Sequence, residues 1–295
     1  MQVVERNRGF RVVLEEWGAA RDLREPQMKD AKLRSYRPIQ ILVPLQAPER
    51  SRELQRCTTL VRPGEVTPDG VRALATKLGD YLFRHVDEDG CLTYKYEPSE
   101  GRDIEGLNNM IRQWMATCAM SRAAHARSGD DQAQAYATTE RNIRHNVKKF
   151  YHAEGALGVI EYNRTVKLGA VAIAAMALME HPNRAEYARV ERKLFNTIEQ
   201  LWQGDGSFQT MLRPANFEHA RNFYPGEGLL ALAMRLQEVD DEALAKRFKR
   251  SFEYWRGWHR ENLNPAFIPW HTQAYYLEYQ RTRDRDYADF IFEMS

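Results

Sequence analysis

Hydrophobic residues recur every three or four positions along most of the chain from Thr67 onward. Thr67 is followed by Pro68, a pair that is typical of a helix N-cap and a first helical position. The apolar positions of this first stretch are Val71, Leu74, Leu78, Leu82 and Val86. This spacing predicts a helix with one apolar face.

The same order of elements recurs four times, with a period of about 50–65 residues. In each round, a long helix with one charged face is followed by a turn and then by a shorter helix rich in Ala, Gly and Leu. We predict the long helices near residues 67–86, 131–152, 184–201 and 240–259. We predict the short helices near residues 106–126, 167–179, 226–236 and 271–279.

A helix that is apolar on every side is buried, whereas an amphipathic helix covers a core with one face. The pattern therefore predicts an all-α fold of tandem helical hairpins, an (α/α)n toroid with an outer ring of amphipathic helices and an inner ring of buried, parallel ones. We assign residues 63–295 to this domain. Residues 1–62 show short apolar runs between prolines and charges, and we assign them to an N-terminal arm or a small extended subdomain.

Composition narrows the functional classes. The 43 basic and 41 acidic residues are interspersed and give a net charge of +2, which indicates no nucleic-acid partner. Cys57, Cys91 and Cys118 are widely spaced and form no zinc-binding pattern. Because no signal peptide or run of about 20 apolar residues is visible, we expect a cytoplasmic protein with no membrane partner.

The turns before two of the short helices carry a resemblance. Residues 89–94 and 205–210 share the pattern Asp-Gly-x-(Phe/Leu)-x-(Tyr/Thr), and residues 200–208 read QLWQGDGSF. These turns resemble those of α/α-toroid proteins, which include six-hairpin glycosidases, sugar epimerases of the acylglucosamine type and terpene cyclases. The resemblance extends from Thr67 to the C-terminus and implies the architecture. The acidic DxDD motif of the cyclases is absent, and four hairpins are fewer than the six of a closed ring, so the toroid is expected to be incomplete or completed by other chain segments or a second subunit.

Parallel inner helices would bring their first turns to one end of the toroid. Polar residues at these starts would then form a pocket whose helix N-termini favour an anionic ligand. Within it, we interpret Glu227 and His271 as the acid and base of a proton-transfer reaction, because burial can tune a carboxyl group and histidine titrates near neutral pH. The predicted substrate-binding residues are Asn109, Arg112, Lys167, Tyr224, Trp270 and Gln273.

Structural interpretations of the same residues remain open. Glu227 is a favourable residue in any first helical turn, and the direction of its pKa shift cannot be derived from sequence. Arg112 and Lys167 can instead pair with Glu105, Glu161 or Glu227. Asn109 can serve as a helix cap, and His271 as a core histidine bonded to a loop carbonyl. Gly90 and Gly206, in the Asp-Gly turns, are expected to adopt positive φ.

These features favour a carbohydrate-active enzyme that transfers a proton on an anionic sugar or glycan, as a hydrolase, lyase or epimerase. We expect no cofactor and no metal, a small-molecule or glycan ligand, and a possible homo-oligomer. The alternative is a non-catalytic helical-repeat module that binds a peptide or protein on its concave surface. A cyclase acting on an apolar substrate is a third interpretation, which the charged residues at the inner starts disfavour.

Overall fold

The computed structural model describes residues 40–42, 52–55, 58–59, 66–97, 99–104 and 106–295 of the chain. The chain divides into two compact units, Met1–Thr67 and Pro68–Ser295.

Three short strands are described in the first unit. β1 (Gln40–Leu42), β2 (Arg52–Gln55) and β3 (Thr58–Thr59) form an antiparallel sheet in that order. Extended structure is thus present in the region that we predict as an arm. The remainder of residues 1–62 lies outside the described residues.

Nine α-helices are described in the second unit, and they follow the predicted alternation of long and short elements. They are α1 (Pro68–Arg84), α2 (Met110–His125), α3 (Gly129–Phe150), α4 (Leu168–Met179), α5 (Ala188–Leu201), α6 (Tyr224–Leu236), α7 (Glu242–Glu261), α8 (Ile268–Thr282) and α9 (Arg285–Met294). Two 3-10 turns, Arg184–Tyr187 and Pro265–Phe267, lead into α5 and α8. The predicted helix near 106–126 begins later, at Met110, because Asn109 is extended and caps it.

The four helices predicted as inner pack side by side in chain order: α2 on α4, α4 on α6, and α6 on α8. Contacts along the helices show that α2 and α4 are parallel. Cys118 Sγ lies 3.6 Å from the Ile173 carbonyl near their middles, and Arg122 binds Glu180 where both helices end. We call α2, α4, α6 and α8 the inner helices.

The small residues of α4 and α6 allow these two inner helices to be almost fully buried, whereas α8 buries only four of its fifteen residues. Eleven of the twelve residues of α4 are buried, from Leu168 to Leu178. By contrast α5, which packs against α4, buries one face through residues that include Leu194, Ile198 and Leu201. Alanine and glycine let the inner helices approach closely without leaving voids, so the core lies between the inner helices and those that cover them.

The fold is mostly helical, as we predict, but short antiparallel strands also connect the helices. β4 (Tyr96–Glu97) pairs with β5 (Arg102–Asp103) before α2. A four-stranded sheet is formed by β6 (Tyr151–Glu154), β7 (Leu157–Tyr162), β8 (Thr165–Lys167) and β9 (Met211–Arg213), in that order. The segment that we predict as a simple connection before α4 is therefore a meander packed on α5.

Both Asp-Gly turns have the predicted backbone conformation. Gly90 has φ +89° and Gly206 has φ +95°. A Cβ atom at Gly206 would lie 2.8 Å from the Arg250 carbonyl oxygen, so the turn packs directly on α7. Glycine is required at both positions by the left-handed backbone and by the close approach of a neighbouring helix.

Candidate functional site

The first turns of α4, α6 and α8 lie against one another. A Cβ atom at Gly169 in α4 would overlap the Glu227 carboxylate and lie 2.9 Å from Tyr224, both in α6. A Cβ atom at Gly226 would lie 2.7 Å from His271 Nδ1 in α8. We call the first turns of the four inner helices, which include these residues, the inner-helix pole. Its glycines create the space that the acidic and aromatic side chains occupy.

Glu227 is the most buried acidic group of this pole. Its side chain lies in the first turn of α6, the residue is 2% exposed, and its Oε2 atom has no hydrogen-bond partner among the described residues. Burial raises the pKa of Glu227 to about 8, and the charge of Arg112 opposes this shift. Desolvation therefore outweighs the charge of Arg112, and the pKa of Glu227 is raised, a direction that the sequence leaves open.

Arg112 and Tyr224 both interact electrostatically with Glu227. Arg112 is exposed in the first turn of α2, where it lines a pocket of about 340 Å³ together with Tyr94 and Asp103. Tyr224 is buried, and both its burial and the nearby Glu227 raise the pKa of Tyr224 to about 12. The surroundings of the Glu227 carboxyl group thus include a cation and a neutral phenol.

His271 is fully buried at the start of α8. Its Nδ1 atom lies 2.8 Å from the Phe267 carbonyl oxygen, and its ring stacks on Phe267 at a centroid distance of 3.5 Å. The Nε2 atom has no partner among the described residues. Burial lowers the pKa of His271 to about 3, so the imidazole is neutral at pH 7. This contact with the Phe267 carbonyl oxygen is the one expected if His271 is a core histidine bonded to a loop carbonyl.

Asn109 and Lys167 share a small pocket of about 190 Å³ beside Tyr162. Asn109 caps α2, since its Oδ1 atom accepts a hydrogen bond of 3.2 Å from the Arg112 backbone N–H. Lys167 is half-buried at the N-cap of α4, and no described residue forms a hydrogen bond or ion pair with its ammonium group. Asn109 thus has the expected capping contact, while Lys167 is available to a ligand.

The pairing considered for Lys167 and Glu161 does not occur. Glu161 Oε2 instead lies 2.7 Å from Arg213 Nη2, and the same guanidinium binds Glu154 at 2.6 Å. Strands β6, β7 and β9 bring these three side chains together. Glu105, the other carboxylate considered, lies outside the described residues.

Trp270 and Gln273 face a different space, a cavity of about 630 Å³ between α1, α2, α4 and α8. Trp270 is half-buried, and Gln273 is exposed with its amide donating to the Pro269 carbonyl oxygen at 2.9 Å. Five of the six predicted substrate-binding residues therefore line three different spaces. Glu227 and His271 are buried and line none of the three.

His219 is a residue of the pole that the sequence interpretation missed. It is exposed in the loop between β9 and α6, and its ring centroid lies 5.7 Å from that of Tyr224. The sequence signal is a histidine in the loop that leads into a buried inner-helix glutamate. Among the exposed histidines, His219 is the one nearest to Glu227 along the sequence.

Two further findings concern the described residues as a set. They contain no group of three or more His, Cys, Asp and Glu side chains placed to hold a metal ion. None of the described helices combines the length and the apolar character needed to cross a membrane.

The fold resembles that of a known sugar-processing enzyme. A crystal structure of D-mannose isomerase aligns with a TM-score of 0.54 at 13% sequence identity, over 76% of this chain and 70% of that chain. The Lin0763 protein from Listeria innocua aligns with a TM-score of only 0.40 at 10% identity, over 75% of this chain and 84% of that chain. No protein-family model matches the sequence, and neither does any curated protein. The likeness to D-mannose isomerase defines a shared fold.

Proposed function

We propose that the protein is a carbohydrate-active enzyme that transfers a proton on a sugar bearing a negative group, at the inner-helix pole of an α/α toroid. The observation that carries this proposal is Glu227, a buried carboxyl group with an unpartnered Oε2 atom and a pKa raised to about 8. A group that titrates near neutral pH can both donate and accept a proton under physiological conditions.

The shared fold supports the sugar as the substrate class. D-mannose isomerase is a sugar-processing enzyme by name, and it aligns over 76% of this chain. Sugar isomerisation and epimerisation both move a proton at the carbon beside a carbonyl group. We therefore add isomerisation to the epimerase, lyase and hydrolase reactions that the sequence suggests.

We base the proposed role of each side chain at the pole on its charge. Arg112 and Lys167 hold the negative group of the sugar, since both are available and neither has a described carboxylate partner within ion-pair distance. Glu227 transfers the proton. His271 is its proposed partner in proton transfer and is a neutral imidazole at pH 7, because burial lowers its pKa to about 3. The remaining predicted contacts to the substrate come from Asn109, Tyr224, Trp270 and Gln273.

One observation favours the non-catalytic alternative, a helical-repeat module that binds a protein or peptide. α1 exposes an apolar stripe in which Leu74 and Leu78 are each 58% exposed. Such a stripe is typical of a helix face that contacts a partner. It does not account for the unpartnered carboxyl group at the pole, which is why we rank it second.

Hydrogen exchange into candidate sugars tests the catalytic proposal. We would incubate the protein in D₂O with D-mannose, N-acetylmannosamine, mannose 6-phosphate and glucuronate, and follow loss of the C2 proton by NMR. We expect exchange with at least one charged sugar, and a loss of at least 100-fold in Glu227→Gln. The control is Glu199→Gln, which removes an outer-helix carboxylate paired with Arg235.

Two outcomes would contradict the proposal. Exchange at the wild-type rate in Glu227→Gln would remove Glu227 from the reaction. Absence of both exchange and calorimetric binding across all four sugars would favour the non-catalytic module.

A further inference from the structure

The cavity of about 630 Å³ between α1, α2, α4 and α8 has a lining that the proposed proton transfer does not use. Its walls include Met115, Cys118, Ile173, Met176 and Trp270. The volume falls within the range of about 300–1,000 Å³ typical of small-molecule sites. An apolar surface of this kind gains little from a sugar hydroxyl and much from a hydrocarbon or an aromatic ring.

The charged groups at the edge of this cavity are already neutralised. Arg122 binds Glu180 at 2.6 Å, and Arg127 binds Asp131 at 2.9 Å. Each guanidinium therefore has a carboxylate from the protein itself. The cavity does not require an anionic occupant, unlike the pole, where Arg112 has no such partner among the described residues.

The cavity adjoins the pole at two points. Trp270 lines the cavity, and its Cβ atom lies 2.8 Å from the position that a Cβ atom at Gly226 would take, directly before Glu227. Met115 also lines the cavity, and its Sδ atom lies 3.7 Å from Arg112 Nη1. A ligand whose apolar end lies among Met115, Trp270 and their neighbours thus has its polar end close to Arg112.

We propose that this cavity binds the apolar part of an amphipathic ligand, and that the substrate is a sugar carrying an alkyl or aryl substituent. The second clause rests on the proposed function, whereas the first depends on the cavity alone. The occupant of the cavity is an uncharged hydrocarbon or aromatic group of small-molecule size.

The first test uses N-phenyl-1-naphthylamine, a neutral aromatic dye whose fluorescence rises in apolar sites. We expect saturable binding to the full chain and at least tenfold weaker binding to Ala119→Trp, which places an indole in the cavity wall. The matched control is Ala133→Trp, which adds the same group at an exposed position of α3. It should bind the dye like the wild type.

The second test separates the cavity from the chemistry. Glu227→Gln should bind the dye with unchanged affinity, even where its proton exchange is lost. Calorimetry with methyl and octyl mannosides, below the micellar concentration, should show at least tenfold tighter binding of the octyl compound.

Each result has a defined consequence. No dye binding to the wild type, or equal binding to Ala119→Trp, would overturn the cavity as an apolar site. Dye binding combined with equal affinity for methyl and octyl mannosides would overturn the amphipathic sugar. Tight octyl binding, together with no C2 proton exchange in any of the four free sugars tested above, would keep the cavity and contradict the proposed function instead.

Discussion

The Asp-Gly turns lie before inner helices, and the inner-helix pole is formed by the first turns of such helices. The two regions differ in the hydrogen bonding of the buried polar atoms compared here. In the turns, Asn142 donates to the Gly90 carbonyl oxygen and Ser251 to that of Gly206, each at 2.8 Å. At the pole, Glu227 Oε2 and His271 Nε2 have no described partner. The carbonyl oxygens of the two turn glycines are paired, whereas these two side-chain atoms of the pole are among the buried atoms of the described structure that have no partner.

This contrast has an energetic meaning. A paired buried polar atom contributes modestly to stability, whereas an unpaired one costs about 1–3 kcal/mol. A fold tolerates such costs where they serve function. The pole is therefore a part of the described structure where we expect the requirements of stability and of chemistry to conflict. The turns provide the reference with which the stability of pole variants is compared.

The largest expected effect is on the pH dependence of stability through Glu227. The pKa of this group is raised from 4.5 to about 8, so its contribution to stability is fully present below about pH 4.5 and is lost as the pH rises through 8. The loss amounts to about 1.4 kcal/mol per pH unit over this window. Glu227→Gln should abolish it and be the more stable protein at pH 9.

Urea unfolding of wild type, Glu227→Gln and Glu199→Gln at pH 5, 7 and 9 measures this difference. Glu199→Gln should follow the wild type, because Glu199 is only half-buried and its ion pair with Arg235 is accessible to solvent. Parallel pH profiles of wild type and Glu227→Gln would show that Glu227 is not a buried neutral acid.

The next effect tests the turns. Gly206→Ala should lower the free energy of unfolding by about 2–4 kcal/mol, because alanine is strained at φ +95° and its Cβ would press on the Arg250 carbonyl oxygen. Gly204→Ala, in the same loop, meets no atom within 4 Å and should change stability by about 0.5 kcal/mol or less. Equal destabilisation by the two substitutions would contradict the tight packing of the turn on α7.

Local signals explain which parts of the fold are predictable. The helical period and the Asp-Gly turns depend on residues adjacent in the chain, and the positive φ values at Gly90 and Gly206 are confirmed. The β6–β9 meander escaped prediction because its strands are short and are held by distant partners, such as Thr197 of α5 bonding the Gly158 carbonyl oxygen at 2.8 Å.

The sequence predicts the positions of candidate site residues along the helices, but not the environment of each side chain. Placing Glu227 at the head of a buried helix follows from the sequence, but its environment depends on Gly169 and Arg112, which come from other hairpins. The same holds for His271, whose contact with Phe267 arises from a 3-10 turn that the periodicity does not reveal. The catalytic and binding roles remain proposals.

The smallest expected effect concerns the coupling of Arg112 to Glu227. The charge of Arg112 lowers the pKa of Glu227 against the effect of burial. Arg112→Gln should therefore move the titration of Glu227 upward by about 0.5–1 pH unit, whereas Arg112→Lys should retain most of the wild-type value. Infrared spectroscopy can follow the protonated carboxyl band across the titration, with Glu227→Gln to assign it. An unchanged midpoint in Arg112→Gln would mean that the pole holds an isolated acid, and that Arg112 is free to serve the substrate alone.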